Sequence, residues 1–283
     1  MAPSAAFHGR RLNHRRLNHR RLNHRLLNHR LLMALAEVAV PVIAIVLWWV
    51  LSATSTSLYF PPLSAIMTSF RNIWLFSHVG SDVVPSLENL AAGFAIATAA
   101  GIVFGVALGL LPILADALAP AVEFLRAVPG VALLPAALLL LGIGPGMKIS
   151  LIAYGTVWPI LLNTIDGVRG VDPVVVEVAS SYRIRRRDRL VRIILPAASP
   201  QIVAGMRSAL SIGITVIIFS EMIGSTNGIG FQILSAERSF AVPAMWAGIV
   251  LLGIVGYLLN LAFRGFESYL LRWHRGMRQL ARG

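Results

Sequence analysis

Residues 90–114 read LAAGFAIATAAGIVFGVALGLLPIL and contain no charged residue over 25 positions. A run of about 20 apolar residues is long enough for one helix to cross the hydrocarbon core of a bilayer. The whole chain shares this character, since 57% of its 283 residues are hydrophobic and 13% are charged. Soluble domains average about 45–50% apolar and 25% charged residues. The composition therefore predicts an all-α integral membrane protein, and the lack of cysteine excludes a disulfide scaffold.

Six apolar runs predict six transmembrane helices. A Gly-Ile-Gly-Pro-Gly segment at 142–146 predicts a tight turn between the third and fourth of them. The first run is too long for the apolar core of a cleavable signal peptide and follows a 30-residue tail. We therefore expect a tail over 1–30 and a six-helix membrane domain over 31–283, with spans at about 31–51, 90–111, 120–142, 147–166, 196–220 and 240–264.

Basic residues are divided unequally between the two predicted faces of the membrane. One face has eight arginines in 1–30, Arg126, seven arginines in 169–192 and five in 264–283. The other face has only Arg71, Lys148 and Arg238. Because basic loops stay in the cytoplasm, both termini are predicted to be cytoplasmic. The net charge of +13 is thus explained by orientation, and the long uncharged runs argue against a nucleic-acid partner.

The tail consists largely of a five-residue repeat. Residues 11–25 contain Arg-Leu-Asn-His-Arg three times, and 26–30 repeat it with Leu26 in the first place. Five residues advance a helix by about 500°, so equivalent positions form no single face, and the histidines lack the i,i+4 spacing of a helical metal site. The tail is either a polybasic segment that binds anionic lipid headgroups or a low-complexity extension that reinforces orientation.

The second predicted span has a small residue at every fourth position along one face. Such a stripe allows another helix to approach closely, which matters in lipid because no hydrophobic effect operates between spans. We therefore expect this face to pack against a neighbouring helix through Gly93, Ala97, Gly101, Gly105 and Gly109.

Ionisable residues within the spans are few, and each is a functional hypothesis because an unpaired charge is costly in lipid. They are Glu37, Arg207 and Glu221. Arg207 and Glu221 are 14 residues apart, about 21 Å along a helix, and cannot pair. Arg207 could attract an anionic solute, snorkel, or pair with a carboxylate such as Glu123. Three hydroxyl residues of this span recur at spacings of three and four and so share one face. The candidate translocation path is Arg207, Ser208, Ser211, Thr215 and Glu221.

No catalytic or metal-binding constellation is found in the sequence. The sequence around Lys148 is Gly-Pro-Gly-Met-Lys-Ile, with Met147 and Ile149 where a phosphate-binding loop needs Gly and Ser or Thr. The chain is therefore predicted to be non-catalytic. If its work consumes ATP, another chain must hydrolyse the nucleotide.

The connection over 167–195 contains a predicted short helix on the cytoplasmic side. Asp172 and Pro173 form a helix start, with Asp as N-cap and Pro at the first helical position. The residues up to Tyr182 are mostly apolar around Glu177, and an arginine-rich segment follows. This pattern predicts a docking element, or alternatively an amphipathic helix that lies on anionic lipid.

In this connection the sequence resembles the permease subunit of bacterial ATP-binding-cassette importers. That family has Glu-Ala-Ala, a Gly six residues after the Glu, and Ile-x-Leu-Pro beginning sixteen after it. Glu177, Ala179, Ile193, Leu195 and Pro196 fall on those positions. Val178 replaces the first Ala, and Arg183 replaces the Gly. A left-handed Arg costs about 1–2 kcal/mol, so this replacement predicts a reshaped turn.

Further motifs are similar to those of the nitrate, sulfonate, taurine and bicarbonate subgroup. They are Pro61–Ser64, Gly93–Phe94, Glu123–Arg126, Ala132–Pro135, Trp158–Thr164, Val171–Pro173 and Glu221, with Asn89 where the subgroup often has Arg. The resemblance implies a type I importer permease in the bacterial inner membrane that moves a small anion such as a sulfonate, taurine, nitrate or bicarbonate. A thiamine-precursor pyrimidine or riboflavin is the alternative cargo, and a stand-alone secondary transporter is the rival function.

The resemblance also implies partners. These are a cytoplasmic ATPase dimer that binds ATP and Mg, a second permease copy or a similar chain, and an extracytoplasmic solute-binding protein. The ATPase would receive the coupling loop over 167–195, whose matched or flanking residues are Asp172, Pro173, Glu177, Val178, Ala179, Tyr182, Arg183, Ile193, Leu195 and Pro196.

Overall fold

The computed structural model describes residues 39–74 and 77–273, and within these ranges the secondary structure is entirely helical. The helices are α1 (Ala39–Ser52), α2 (Leu63–Trp74), α3 (Val84–Leu110), α4 (Pro112–Ala127), α5 (Leu134–Leu141), α6 (Pro145–Arg169), α7 (Pro173–Ser181), α8 (Arg186–Arg189), α9 (Leu195–Gly224), α10 (Ile229–Arg238) and α11 (Val242–Leu270). Two π-helical turns, Val79–Val83 and Leu190–Ile194, lead directly into α3 and α9.

The chain forms two compact units that divide after Ala65. In the first unit α1 is an apolar helix whose last residue, Ser52, accepts a hydrogen bond at Oγ from the Leu63 N–H at 3.1 Å. The predicted span 31–51 begins outside the described residues, as does Glu37. The second unit holds the rest of α2 and all later helices.

The centre of the second unit is formed by α3, α6 and α9. Ala97 of α3, Ile160 of α6 and Ala209 of α9 are buried together. The small-residue stripe of α3 lies directly on α6, because a Cβ on Gly93, Gly101, Gly105 or Gly109 would come within 2.6–2.8 Å of side-chain carbons of that helix. At Gly101 the obstructing side chain is Ile160, and the Leu161 backbone nitrogen lies 3.2 Å away, so no side chain fits between the two helices.

The range of the predicted third span, 120–142, is divided between two helices, and the span itself stays a prediction. The chain bends by 77° between Pro112–Ala127 and Gly130–Leu141. Val128 is extended, with φ −78° and ψ 114°, as expected for a residue that precedes a proline. Pro129 thus ends α4 and starts the 3₁₀ turn that leads into α5. The turn after α5 is where the glycines predict it, with Gly142 at φ +70°.

Four helices of the described residues are long and apolar enough to cross a membrane, or five if the bent pair is one span. The four are Val79–Leu110, Pro145–Arg169, Arg186–Gly224 and Val242–Leu270. They correspond to predicted spans two, four, five and six. The total of six remains a prediction.

Candidate functional site

A buried polar cluster joins the helix ends at the Lys148 side of the protein. We define the polar cluster as Asp82, Ser86, Lys148, Glu221 and Asn227. Glu221, near the C-terminal end of α9, has no exposed surface, and Lys148, in the first turn of α6, is 2% exposed. Asp82 and Ser86, at the start of the α3 span, are also buried. Charged residues are rarely buried so deeply unless they are paired, so the contacts among them matter.

Glu221 receives contacts from three directions. The Ser86 hydroxyl donates to Oε1 at 2.6 Å, and the Gly230 N–H donates to Oε2 at 3.1 Å. The Lys148 ammonium lies 3.7 Å from Oε1. One carboxylate therefore connects α3, α6, α9 and α10.

The segment between α9 and α10 is held against the start of α3 by Asp82. Its Oδ1 accepts from the Gly228 N–H at 2.8 Å and from Gln232 Nε2 at 3.3 Å. Gly228 has φ +112°, and a Cβ there would lie 2.3 Å from the Glu221 carboxyl carbon. Only glycine fits this position, because both its backbone conformation and the neighbouring carboxylate exclude a side chain.

A cleft of about 600 Å³ opens beside the polar cluster, between the N-terminal ends of α3 and α6. Lys148 and Asn227 line it, whereas Glu221 and Asp82 do not. Lys148 Nζ lies 3.4 Å from both the backbone oxygen and Oδ1 of Asn227. The remaining lining residues are Pro85, Glu88, Asn89, Ala92, Ile143, Gly144, Pro145, Ile149, Ser225 and Thr226.

The polar cluster includes residues that sequence reasoning missed. Glu221 is a predicted path residue and Lys148 is predicted to lie on the outer face, whereas Asp82 and Ser86 carry no prediction. The sequence does single out Lys148 in one respect, because it is the only lysine in a chain that has 24 arginines. Nothing local to Asp82 or Ser86 points to a partner 135–150 residues away in the chain.

The other candidate path residues lie elsewhere. Arg207 pairs with Glu267 of α11 and not with Glu123, which instead accepts from Arg126 Nε at 2.9 Å. The hydroxyl residues of α9 are on an exposed face of the helix, separate from the buried Glu221. Two of them bond back to their own helix. The exposed hydroxyl residues are Ser208, Ser211 and Thr215.

The connection over 167–195 folds as a helix with defined ends. The Asp172 side chain accepts from the Val174 N–H at 2.9 Å and caps α7, with Pro173 at its first position. Ala179 faces inward and is buried. An apolar face of α7 is exposed, and it consists of Val174, Val175, Val178 and Tyr182.

Arg183 ends α7 in the left-handed conformation, with φ +54°. The Ile184 N–H bonds to the Ala179 carbonyl at 3.0 Å, and the Arg183 N–H bonds to the Ser180 carbonyl at 2.9 Å. These two bonds define a Schellman motif, in which glycine usually occupies the left-handed position. The turn therefore has the left-handed geometry that suits a glycine, and Arg183 adopts this strained conformation.

The end of the connection packs on the helix core. Leu195 contacts a buried cluster made by Val168, Ile194, Ala198 and Ile202, while Ile193 and Pro196 are partly buried. In addition, Arg189 Nη1 donates to Ser180 Oγ at 2.5 Å and ties α8 to α7. The loop is thus attached firmly to the cytoplasm-facing ends predicted for α6 and α9.

Comparisons with known proteins agree with this architecture. An aliphatic sulfonates transport permease protein of Bacillus subtilis (strain 168) is 31% identical over 82% of this chain and 85% of its own length. A taurine transport system permease protein of Escherichia coli (strain K12) is 31% identical, over 82% and 87%. A nitrate import permease protein of Leptolyngbya laminosa is 33% identical, over 65% and 66%.

A solved structure of similar fold is a chain of the MetNI methionine ABC transporter in an inward-facing conformation. It superposes with a TM-score of 0.54 and 20% identity, covering 66% of this chain and 95% of that chain. This confirms the predicted all-α permease fold. Residues 97–275 match the family described as the binding-protein-dependent transport system inner membrane component. From this match and the two relatives above 30% identity over most of the chain, the protein belongs to that family and is a multi-pass inner-membrane permease of an ABC importer.

Proposed function

We propose that this chain is the membrane path of an importer that moves a small anionic solute into the cytoplasm, driven by a separate ATPase that docks on the loop over 167–195. The observation that carries the proposal is the exposed face of α7. Its exposed face combines Val174, Val178 and Tyr182 with Glu177, whose carboxylate has no ion pair among the described residues. An exposed apolar patch rimmed by charge is typical of a protein interaction site.

The distribution of basic residues supports an orientation with α7 in the cytoplasm. Arg183, Arg185 and the basic residues up to Arg192 flank α7, and basic loops are retained on that side. A second copy of this chain, or a similar one, would complete the path, and a solute-binding protein would deliver cargo to the opposite face. ATP-driven closure of the ATPase dimer would then rock the two helix bundles between inward-open and outward-open states.

The names of the relatives support the solute class. They describe permeases for aliphatic sulfonates, taurine and nitrate, all of which carry an anionic group rich in oxygen. On the exposed face of α9 the Ser211 hydroxyl could donate to a passing anion, whereas Ser208 and Thr215 would first have to release the backbone carbonyls to which they donate.

Purification in mild detergent, followed by mass spectrometry and an ATPase assay, tests the proposal. We expect the wild-type chain to retain an ATPase subunit, and we expect Glu177→Arg to lose it at unchanged membrane abundance, because a reversed charge meets the docking cleft. Glu237→Arg is the matched control, since Glu237 is exposed on α10, outside the proposed docking loop. Full ATPase recovery and uptake with Glu177→Arg would contradict the docking assignment.

A further inference from the structure

The arginine-rich segment that follows α7 has far more positive charge than its neighbours neutralise. Residues 183–192 contain six arginines and a single acid, Asp188, so the segment has a net charge of +5. Asp188 lies 3.5 Å from Arg192, and Arg189 donates to Ser180. The guanidinium groups of the other four arginines are exposed and have no ion pair or hydrogen bond with any described residue. They are Arg183, Arg185, Arg186 and Arg187.

These four arginines lie beside the exposed face of α7. Arg183 directly follows the last turn of α7, and Arg186 begins α8, which the hydrogen bond between Arg189 and Ser180 holds against α7. The positive charge therefore continues the surface that is proposed to receive the ATPase. Charge at the rim of an interface acts mainly on the choice of partner and on the rate of encounter.

The length of the continuous helix places this charge beyond the bilayer. Arg186 and Glu221 are 35 residues apart in the helix Arg186–Gly224, which corresponds to about 52 Å. An average tilt of about 20° leaves about 49 Å along the membrane normal. A whole bilayer with its headgroup regions is about 40–45 Å thick. Because Glu221 marks the outer end of the apolar run of α9, Arg186 extends past the inner headgroups, where its partner is a protein rather than a lipid.

Arg183 adds a strained backbone to this surface. Its φ of +54° is in the left-handed region, where a glycine would be free of strain. No contact of its guanidinium group within the described residues compensates for the strain. Strained backbone conformations cluster at functional sites. A contact between the Arg183 side chain and another molecule would supply the missing compensation.

We infer that Arg183 and Arg185–Arg187 bind an acidic surface of the ATPase, next to the site that receives α7. The inference rests on the proposed function and adds to it the charge that the ATPase presents. Glu177 on α7 requires a basic group on the ATPase, whereas the four arginines require carboxylates. An ATPase with the opposite arrangement would meet like charges at both places, so this charge pattern determines which ATPase the permease accepts.

Binding of the ATPase to the full-length permease in nanodiscs tests the inference. The probe is the ATPase subunit that mass spectrometry identifies in the wild-type purification. The nanodiscs contain phosphatidylcholine, with or without phosphatidylglycerol, so that anionic lipid is varied independently of the protein. We expect the affinity for the ATPase to fall at least about tenfold between about 0.1 M and about 0.5 M NaCl, because salt screens the attraction between exposed charges.

Two variants and a control separate charge from fold. The triple variant Arg185→Gln/Arg186→Gln/Arg187→Gln should bind the ATPase at least about tenfold more weakly at low salt, because each exposed ion pair contributes a factor of up to about five. Arg183→Gly should weaken ATPase binding about twofold to fivefold although it relieves the backbone strain and slows hydrogen exchange at the end of α7. A purely structural role of Arg183 would instead improve both properties. The control is Arg264→Gln, since Arg264 is exposed on α11 and forms no ion pair in the described part of the chain.

Three results would overturn the inference. The first is an ATPase affinity that does not depend on salt, and the second is a triple variant that binds the ATPase like the wild type. The third is a triple variant that loses bound phosphatidylglycerol in native mass spectrometry at unchanged ATPase affinity, which would assign the arginines to the membrane. The proposed function survives each of these results if the wild type retains the ATPase and Glu177→Arg loses it. A wild type that retains no ATPase contradicts the proposed function and this inference together.

Discussion

Replacing Lys148 by methionine tests whether the Lys148–Glu221 contact holds the helix ends together. Methionine keeps the length of the apolar stem and removes the charge. Glu221 would then be a fully buried carboxylate whose remaining partners are Ser86 and Gly230. Breaking a buried pair by removing one member costs about 3–5 kcal/mol. For a chain of this length we expect the melting temperature to fall by roughly 6–20 °C.

A double variant distinguishes loss of the pair from general damage. In Lys148→Met/Glu221→Gln the carboxylate becomes a neutral amide. The amide oxygen can still accept a hydrogen bond from the Gly230 N–H. The amide NH₂ group can donate to the Ser86 hydroxyl oxygen. The Ser86 hydroxyl then donates its own proton to the Asp82 backbone carbonyl, which is 2.9 Å away. The melting temperatures of the wild type, the two single variants and the double variant are measured by size-exclusion chromatography of the purified proteins. We expect the double variant to recover most of the melting temperature that Lys148→Met loses. The reasoning is refuted if Lys148→Met melts like wild type, or if the double variant is no more stable than the single one.

Three single substitutions, one of them with a matched control, test local features. Gly101→Ala should destabilise the protein by roughly 1–3 kcal/mol, because the added Cβ would clash with Ile160. The control is Gly253→Ala, where the added Cβ has no neighbour and should stabilise α11 by up to about 1 kcal/mol. Equal shifts of the melting temperature in the two variants would refute the close packing. Arg183→Gly should slow hydrogen exchange at the end of α7, because relief of about 1–2 kcal/mol exceeds the entropy cost of glycine; faster exchange would contradict the strain. Asp172→Ala should speed exchange in the first turn of α7 by losing a cap of about 1 kcal/mol, and an unchanged first turn would argue against the cap.

The sequence predicts best what depends on neighbours along the chain. The N-cap at Asp172, the glycine-rich turn before α6 and the close-packing stripe of α3 all follow from spacings of one to four residues, and the structure has α7, the turn and the α3–α6 contact at those places. The helix break at Pro129 has a local signal too, because a proline inside an apolar run favours a bent helix.

The polar cluster could not be predicted because its members are far apart in sequence. Ser86 and Glu221 are separated by 135 residues, and Gln232 and Asp82 by 150. No feature of the local sequence distinguishes these residues, and they come into contact only when α3, α6 and α9 pack together. The same limit applies to the ion pair of Arg207. Charge alone allows several carboxylates as its partner, and the packing of α9 and α11 places Glu267 beside it.

The continuous helix over Arg186–Gly224 has a mechanical consequence. Its 39 residues span about 58 Å, which is nearly twice the thickness of the hydrocarbon core. It begins within the loop over 167–195 that is proposed to receive the ATPase and ends at the polar cluster, so one continuous helix joins the two sites. A tilt of ten degrees about either end carries the other through about 10 Å, a displacement far larger than any distance within the cluster.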